Sequence, residues 1–296
     1  MNVLVSGAKG LIGSALIPEL EAGGHRINRL TRTPRSGQDI RWDPDAGMIE
    51  GDLAGFDAVV HLAGESIAEG RWTSERKRRI LESRQKGTHL LAEKIAGLPE
   101  PPSVMVSASA IGYYGDRGNE LLTEESEPGT MFLSRVCWEW EAAAQPAREA
   151  GVRVVHPRFG IVLSTEGGAL GSTLPIFKLG GGGKIGSGRQ YWSWVSLDDV
   201  VGALVHAINM DALSGPVNVV APDPLTNAEY TRVLGRVLGR PTFFAVPAPA
   251  ARIVLGGMAD NLLLASARVE PAKLDETGYE YCHPKLEGAL RHLLEE

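Results

Sequence analysis

Val3-Leu4-Val5-Ser6-Gly7-Ala8-Lys9-Gly10-Leu11-Ile12-Gly13 is the stretch that decides how this chain folds. It opens as a buried strand and closes as the start of an amphipathic helix, with glycines at G-x-x-G-x-x-G spacing between them. One glycine allows a tight turn, one lets a pyrophosphate approach the backbone, and one lets helix and strand pack closely. The free N–H groups at the helix start then face the phosphate. The stretch predicts a phosphate cradle made by Gly7, Gly10, Leu11, Ile12 and Gly13; the competing reading is a plain strand-to-helix turn.

Downstream the same alternation repeats. Strand-like runs at 26–31, 58–63, 103–107 and 152–160 are separated by helical patterns at 11–22, 74–96 and 132–150. β-Branched strands alternating with helices argue for a parallel sheet covered on both faces, an α/β, Rossmann-type doubly wound fold. Beyond Leu163 the composition turns glycine-rich, notably at 180–183 and in Gly186-Ser187-Gly188. A short strand at 216–220 is expected to rejoin the sheet, and the remainder reads as helices broken by Pro241, Pro247, Pro249 and Pro271. The expected division is a nucleotide-binding domain over 1–222, with a glycine-rich lid or insertion at about 164–194, and a smaller, mainly helical C-terminal substrate lobe over 223–296.

In such a fold the end of the second strand discriminates between the nicotinamide cofactors, because a carboxylate there binds the ribose 2′-hydroxyl and repels a 2′-phosphate. Here the strand ends in Leu30-Thr31-Arg32-Thr33, with no carboxylate. Arg32 can present a planar fork to a phosphate and Thr31 a hydroxyl, so NADP(H) is the expected cofactor. The competing reading leaves Arg32 as a solvated loop charge. Within 74–96, the apolar stripe Ile80, Leu91, Ile95 also passes through Arg84 and Thr88. A guanidinium on that face needs a partner, either a cofactor phosphate or a core carboxylate. Arg158 poses the same question, since it closes Val154-Val155-His156-Pro157 at the sheet edge where ligands gather.

Composition narrows the functional classes. The chain has 296 residues, 43% hydrophobic and 22% charged, with a formal net charge of −6. That balance suits a globular protein and offers no general attraction to nucleic acid or an anionic membrane. No apolar run approaches a membrane span, and Met1 is followed at once by strand sequence, which gives the expectation of a cytoplasmic protein. Cys137 and Cys282 are too few for a disulfide framework, and the seven histidines show no ligand-like spacing, so no metal is expected.

The glycine loop, His61-Leu62-Ala63-Gly64, Ser107-Ala108-Ser109 followed by Tyr114-Gly115, and Arg158 together resemble the extended and atypical short-chain dehydrogenase/reductases. Leu62-Ala63-Gly64-Glu65, Arg71-Trp72, Ser83-Arg84, Trp140-Glu141-Ala142-Ala143-Ala144, Gly186-Ser187-Gly188-Arg189-Gln190, Trp194 and Ala221-Pro222 sharpen the likeness. So do Val269-Glu270-Pro271-Ala272-Lys273-Leu274 and Thr277-Gly278-Tyr279. These are similar to the epimerase-like family of the YfcH and SDR39U1 type, across almost the whole chain. The resemblance implies that Gly7, Gly10 and Gly13 hold the pyrophosphate and that Thr31 and Arg32 face the adenosine 2′-phosphate. It also implies that Leu62, Ala63 and Gly64 lie along the cofactor, with Arg84 and Arg158 reaching toward it. Extended members often dimerise, so the resemblance makes a homodimer one candidate assembly without fixing the oligomeric state.

One departure bears on activity. Working dehydrogenases of this superfamily carry Tyr-x-x-x-Lys on the helix after the serine strand, where the lysine lowers the tyrosine pKa and the tyrosine moves the proton. This chain has Phe132-Leu133-Ser134-Arg135-Val136-Cys137 in that region. Ser109, Tyr113, Tyr114 and Glu65 are the replacement candidates, each with a bland alternative: packed aromatics for the tyrosines, an arginine partner for Glu65. Trp72, Trp192 and Trp194, with Arg189, are expected either as walls of a substrate pocket or as core. Two functions stay open: an NADP(H)-dependent oxidoreductase or epimerase acting on a small polar substrate, and a non-catalytic NADP(H)-binding regulator or scaffold.

Overall fold

Alternating buried strands and amphipathic helices lay down a mostly parallel sheet flanked by helices, a Rossmann-type α/β fold. The computed structural model describes residues 1–295. Its main sheet contains β1 (Asn2–Ser6), β2 (Arg26–Thr31), β3 (Asp39–Asp43), β4 (Met48–Glu50), β5 (Ala58–His61), β6 (Val104–Ser107), β7 (Arg153–Phe159) and β8 (Gly215–Val219). Their spatial order is β8-β7-β6-β5-β1-β2-β3-β4, and the two-residue strand Ser109–Ala110 pairs with β7 off this path. β1 runs parallel to both β2 and β5, and β6 runs parallel to β5 and β7. The strand order therefore reverses between β1 and β5, where sheets of this kind place their ligands.

The helices are α1 (Leu11–Ala22), α2 (Ser74–Ala96), α3 (Phe132–Ala142), α4 (Gln145–Glu149), α5 (Gly168–Lys178), α6 (Leu197–Asn209), α7 (Asn227–Leu238), α8 (Ala248–Leu255), α9 (Ala272–Glu276) and α10 (Leu286–Glu295). The expected single helix over 132–150 is two helices, with Pro146 in the first turn of α4. A proline there loses no helical hydrogen bond, so it starts a helix more readily than it continues one. None of the helices is long and apolar enough, among the described residues, to cross a membrane.

Two compact units interleave along the chain. The first comprises 1–109, 136–158 and 201–217. Its core joins Leu4, Val59, Met105 and Val154 of the sheet to Leu91, Ala92 and Ile95 of α2 and Ala147 of α4. The second comprises 110–135, 159–200 and 218–296, so the boundary expected at 222/223 falls inside it. Its core gathers Leu170, Leu174 and Phe177 of α5, Tyr230 and Leu234 of α7, and Leu286, Ala289 and Leu290 of α10. Trp192 and Trp194 belong to that core, 7% and 0% exposed, which matches the core reading of the two. Within 164–194, α5 contributes its apolar face to the same core, and the glycines at 180–183 form the turn from α5 into the short strand Gly183–Ile185.

Candidate functional site

Strand register assembles the crevice in the first unit. Ser6 and His61 are the last paired residues of β1 and β5, so Gly7 and Leu62 leave the sheet side by side. Gly7 has φ +73°, and a Cβ added there would lie 2.7 Å from the Leu62 carbonyl carbon. A Cβ at Gly13 would overlap the Gly7 carbonyl oxygen. Both neighbours are backbone and cannot step aside, so the turn and the helix–strand contact require glycine. Gly10 is the N-cap of α1 and supplies no side-chain cap, which leaves the N–H groups of Leu11, Ile12 and Gly13 without a side-chain acceptor from that position. In contrast, Thr73 caps α2 by accepting from the Arg76 N–H, and Thr226 caps α7 with a reciprocal Glu229. An uncapped helix start facing a glycine turn fits a phosphate group.

The loop after β2 is shaped by Asp39, whose Oδ2 accepts the N–H groups of Arg35 at 2.7 Å and Ser36 at 3.2 Å. Those backbone donors, Arg35 first, hold its carboxyl below the usual carboxylate range. Asp39 thus serves its own loop and does not replace the acid missing from the strand end. Thr31 is half-buried and accepts the Thr33 N–H at Oγ1 (3.3 Å), while Arg32 is exposed and joins no ion pair among the described residues.

The loop after β5 is pinned by one face of α2. Arg84 donates to the Glu65 carbonyl (3.0 Å) and the Ile80 carbonyl (3.1 Å), and its guanidinium lies 4.8 Å over the Trp140 ring. Gly64 packs against that guanidinium, since an added Cβ would lie 3.2 Å from its central carbon. Burial lowers the Arg84 pKa. Within the protein, Arg84 is held by two carbonyls and an indole face, with the Glu65 charge acting on it as well. The Glu65 carboxylate pairs with Arg76, which also donates to the Ser66 carbonyl at 2.6 Å, and Ser83 Oγ accepts the Glu65 N–H at 3.2 Å. Of the two readings of Glu65, this geometry matches the arginine partner.

At the carboxyl ends of β6 and β7 a buried polar cluster forms around Glu141. Arg158, 2% exposed, grips its carboxylate with two parallel bonds, Nε to Oε1 and Nη2 to Oε2, both 2.8 Å. Ser109 Oγ donates to the same Oε1 at 2.6 Å. His156 packs nearby with Nδ1 3.3 Å from the Ser107 carbonyl and Nε2 3.2 Å from Arg148 Nη2. These partners suit a neutral ring with its proton on Nδ1, and burial lowers its pKa to about 4. His61 is likewise buried, with Nδ1 2.6 Å from Ser6 Oγ, and its pKa is lowered to about 4 by burial and by Arg84.

The second unit contains both tyrosine candidates. Tyr114 is fully buried, and its hydroxyl donates to Asn218 Oδ1 at 2.6 Å. Asn218 in turn donates to the Glu270 carbonyl (2.9 Å), and its N–H goes to Glu124 Oε1 (2.9 Å). Burial raises the Glu124 pKa. Tyr113 is half-buried and meets Tyr114 edge-on at 5.4 Å between ring centres. For Tyr114 the arrangement is that of a packed aromatic with a satisfied hydroxyl.

Residues 3–220 match the NAD dependent epimerase/dehydratase family, and residues 246–293 match a domain of unknown function, DUF1731. The chain belongs to the NAD dependent epimerase/dehydratase family. The human epimerase family protein SDR39U1 is 38% identical over 297 residues, 99% of this chain and 100% of that protein. A crystal structure of its isoform 2 with NADPH superposes with a TM-score of 0.93 at 37% identity, covering 100% of this chain and 99% of that one. An epimerase family protein of Mycobacterium bovis is 41% identical over 290 residues, 97% of this chain and 96% of that protein. The nucleoside-diphosphate sugar epimerase of Corynebacterium glutamicum gives a TM-score of 0.83 at 37% identity over 99% of this chain and 58% of that one.

In this family member the structure brings together Gly7, Gly10, Leu11, Ile12, Gly13, Leu62 and Ala63 around the β1–β5 switch point. Two residues of the site escaped sequence reading. Arg76 lies four residues before Ile80, so the α2 stripe had only to be extended by one turn to include it. Glu141 lies on the helical face of Leu133, Cys137 and Trp140, and a carboxylate on an apolar face carries the same signal as Arg84 did.

Proposed function

We propose that this chain binds NADP(H) at the β1–β5 switch point and acts as an epimerase-like oxidoreductase on a small polar substrate. The observation that carries the reading is the strand end at Thr31-Arg32, an exposed guanidinium that joins no ion pair among the described residues, with no acid in Leu30–Thr33 to repel a 2′-phosphate, together with a turn at Gly7 whose nearest neighbours are backbone atoms. The full-length likeness to a human protein crystallised with NADPH supports it. Gly7, Gly10, Leu11, Ile12 and Gly13 would hold the pyrophosphate, Thr31 and Arg32 the 2′-phosphate, and Leu62, Ala63 and Gly64 the face of the cofactor. When bound, the cofactor supplies hydride exchange at its nicotinamide. Arg84 and Arg76 hold the 64–66 loop in place. Ser109 Oγ would take the proton of a substrate hydroxyl as its own proton passes to Glu141 Oε1, and Arg158 orients that carboxylate with two parallel bonds.

One observation favours the alternative, a non-catalytic NADP(H)-binding regulator. Ser109 is 2% exposed and bonded to Glu141, Tyr114 is fully buried and bonded to Asn218, and Glu65 is paired with Arg76, so these expected proton donors are already engaged. Steady-state oxidation of NADPH over a panel of carbonyl and nucleotide-sugar substrates separates the readings. The enzyme reading predicts turnover that falls about 10²–10⁴-fold in Ser109→Ala, the usual range for losing a proton-transfer group, with NADPH affinity unchanged. Tight NADPH binding with no turnover on any substrate would establish the regulator instead.

A further inference from the structure

We propose that Asp198, His283 and His292 form a binding site for a borderline divalent cation such as Zn2+, within the second unit and separate from the nucleotide crevice. Asp198 Oδ2 lies 3.4 Å from His283 Nε2 and 3.1 Å from His292 Nε2, and all three ligand atoms lie within 4.8 Å of one another. Tetrahedral zinc with bonds of about 2.0–2.1 Å requires neighbouring ligand atoms about 3.3 Å apart, so both measured edges match the ion's own geometry. Two imidazole nitrogens and one carboxylate oxygen are the donor set of a three-ligand site that leaves the fourth position to water. The rings lie 4.5 Å apart with 27° between their planes, and both Nε2 atoms approach the same Asp198 oxygen.

Three separate anchors preorganise this convergence. Asp198 stands in the first turn of α6, next to Asp199, which is fully buried. Asp199 accepts the Ser196 hydroxyl (2.6 Å) and the N–H groups of Cys282 (2.7 Å) and His283 (3.1 Å), so it fixes the His283 backbone against the start of α6. His292 is carried by α10, whose Leu286, Ala289 and Leu290 are sunk in the core. Side-chain exposures of 46% for Asp198, 19% for His283 and 39% for His292 leave an entry path from solvent. The sequence concealed the site because its histidines lack short helical spacing and its carboxylate comes from a distant element.

Titration of the chelator-treated full-length chain with Co2+, followed by visible absorption, and then with Zn2+ by calorimetry, tests this. The expected result is one equivalent bound with a four- or five-coordinate cobalt spectrum, and affinity reduced by about tenfold or more in each of Asp198→Asn, His283→Gln and His292→Gln. Zn2+ should also raise the unfolding midpoint of the parent but not of His292→Gln, whose side chain lies at the surface. Cys282→Ser, beside the site, and His89→Gln, at the exposed His89–Glu93 pair, should bind as the parent does. No stoichiometric binding, binding unchanged in His292→Gln, or binding lost in Cys282→Ser or His89→Gln alone would overturn the proposal.

Discussion

A methyl group at Gly7 would have to sit 2.7 Å from the Leu62 backbone while the residue kept φ +73°. Gly7→Ala is therefore expected to cost about 1–3 kcal/mol in urea denaturation and to weaken dinucleotide binding, because relief requires β1 and β5 to part at the crevice. The turn was legible in the sequence since a glycine's need is local and shows in spacing alone. Glu141 was not, because its partners Ser109 and Arg158 come from other elements and only packing joins them. Removing Glu141 takes away the carboxylate that the buried Arg158 guanidinium grips with two parallel bonds. Glu141→Ala should lose about 3–5 kcal/mol, and the double variant Glu141→Leu, Arg158→Met should recover much of it. Equal losses in the single and double variants would show that the pair's charge balance is not what holds this region.

At the scale of elements, α2 does more than cover the sheet: its Arg76, Ser83 and Arg84 all hold the loop that follows β5. Arg76→Met releases Glu65 and the Ser66 carbonyl together, and is expected to speed hydrogen exchange of the Glu65 amide without disturbing amides in the middle of β5. Uniform acceleration across the sheet would mean that Arg76 supports the fold as a whole. The strands β1, β5, β6 and β7 were legible as apolar runs because they are buried on both faces, whereas β2 buries only Ile27 and Leu30. β3 and β4 were not, since Asp39–Asp43 and Met48–Glu50 form the sheet's edge, where Trp42 is the one residue of the two strands classed as buried. The 132–150 pattern read as one helix because apolar periodicity runs on through the break before Pro146.

The molecule as a whole holds two buried neutral histidines, His61 and His156, each with its pKa lowered from 6.5 to about 4 by burial. Below pH 6.5 the unfolded chain takes up protons that the folded chain refuses, so stability is full above 6.5 and is lost as pH falls toward 4. Each shift corresponds to about 3 kcal/mol as an order of magnitude. The urea midpoint should therefore drop across that window, and His156→Gln should flatten the drop; an unchanged slope would remove His156 from the account. The fold and the glycine turn at Gly7–Gly13 were legible in the sequence, whereas the buried charge pairs emerged only with packing. The nucleotide reading rests on Arg32, and it is tested most directly by fluorescence titration of the parent and of Arg32→Glu with NADPH and NADH. The account predicts that the parent prefers NADPH and that Arg32→Glu loses or reverses the preference. Tighter binding of NADH by the parent would contradict it.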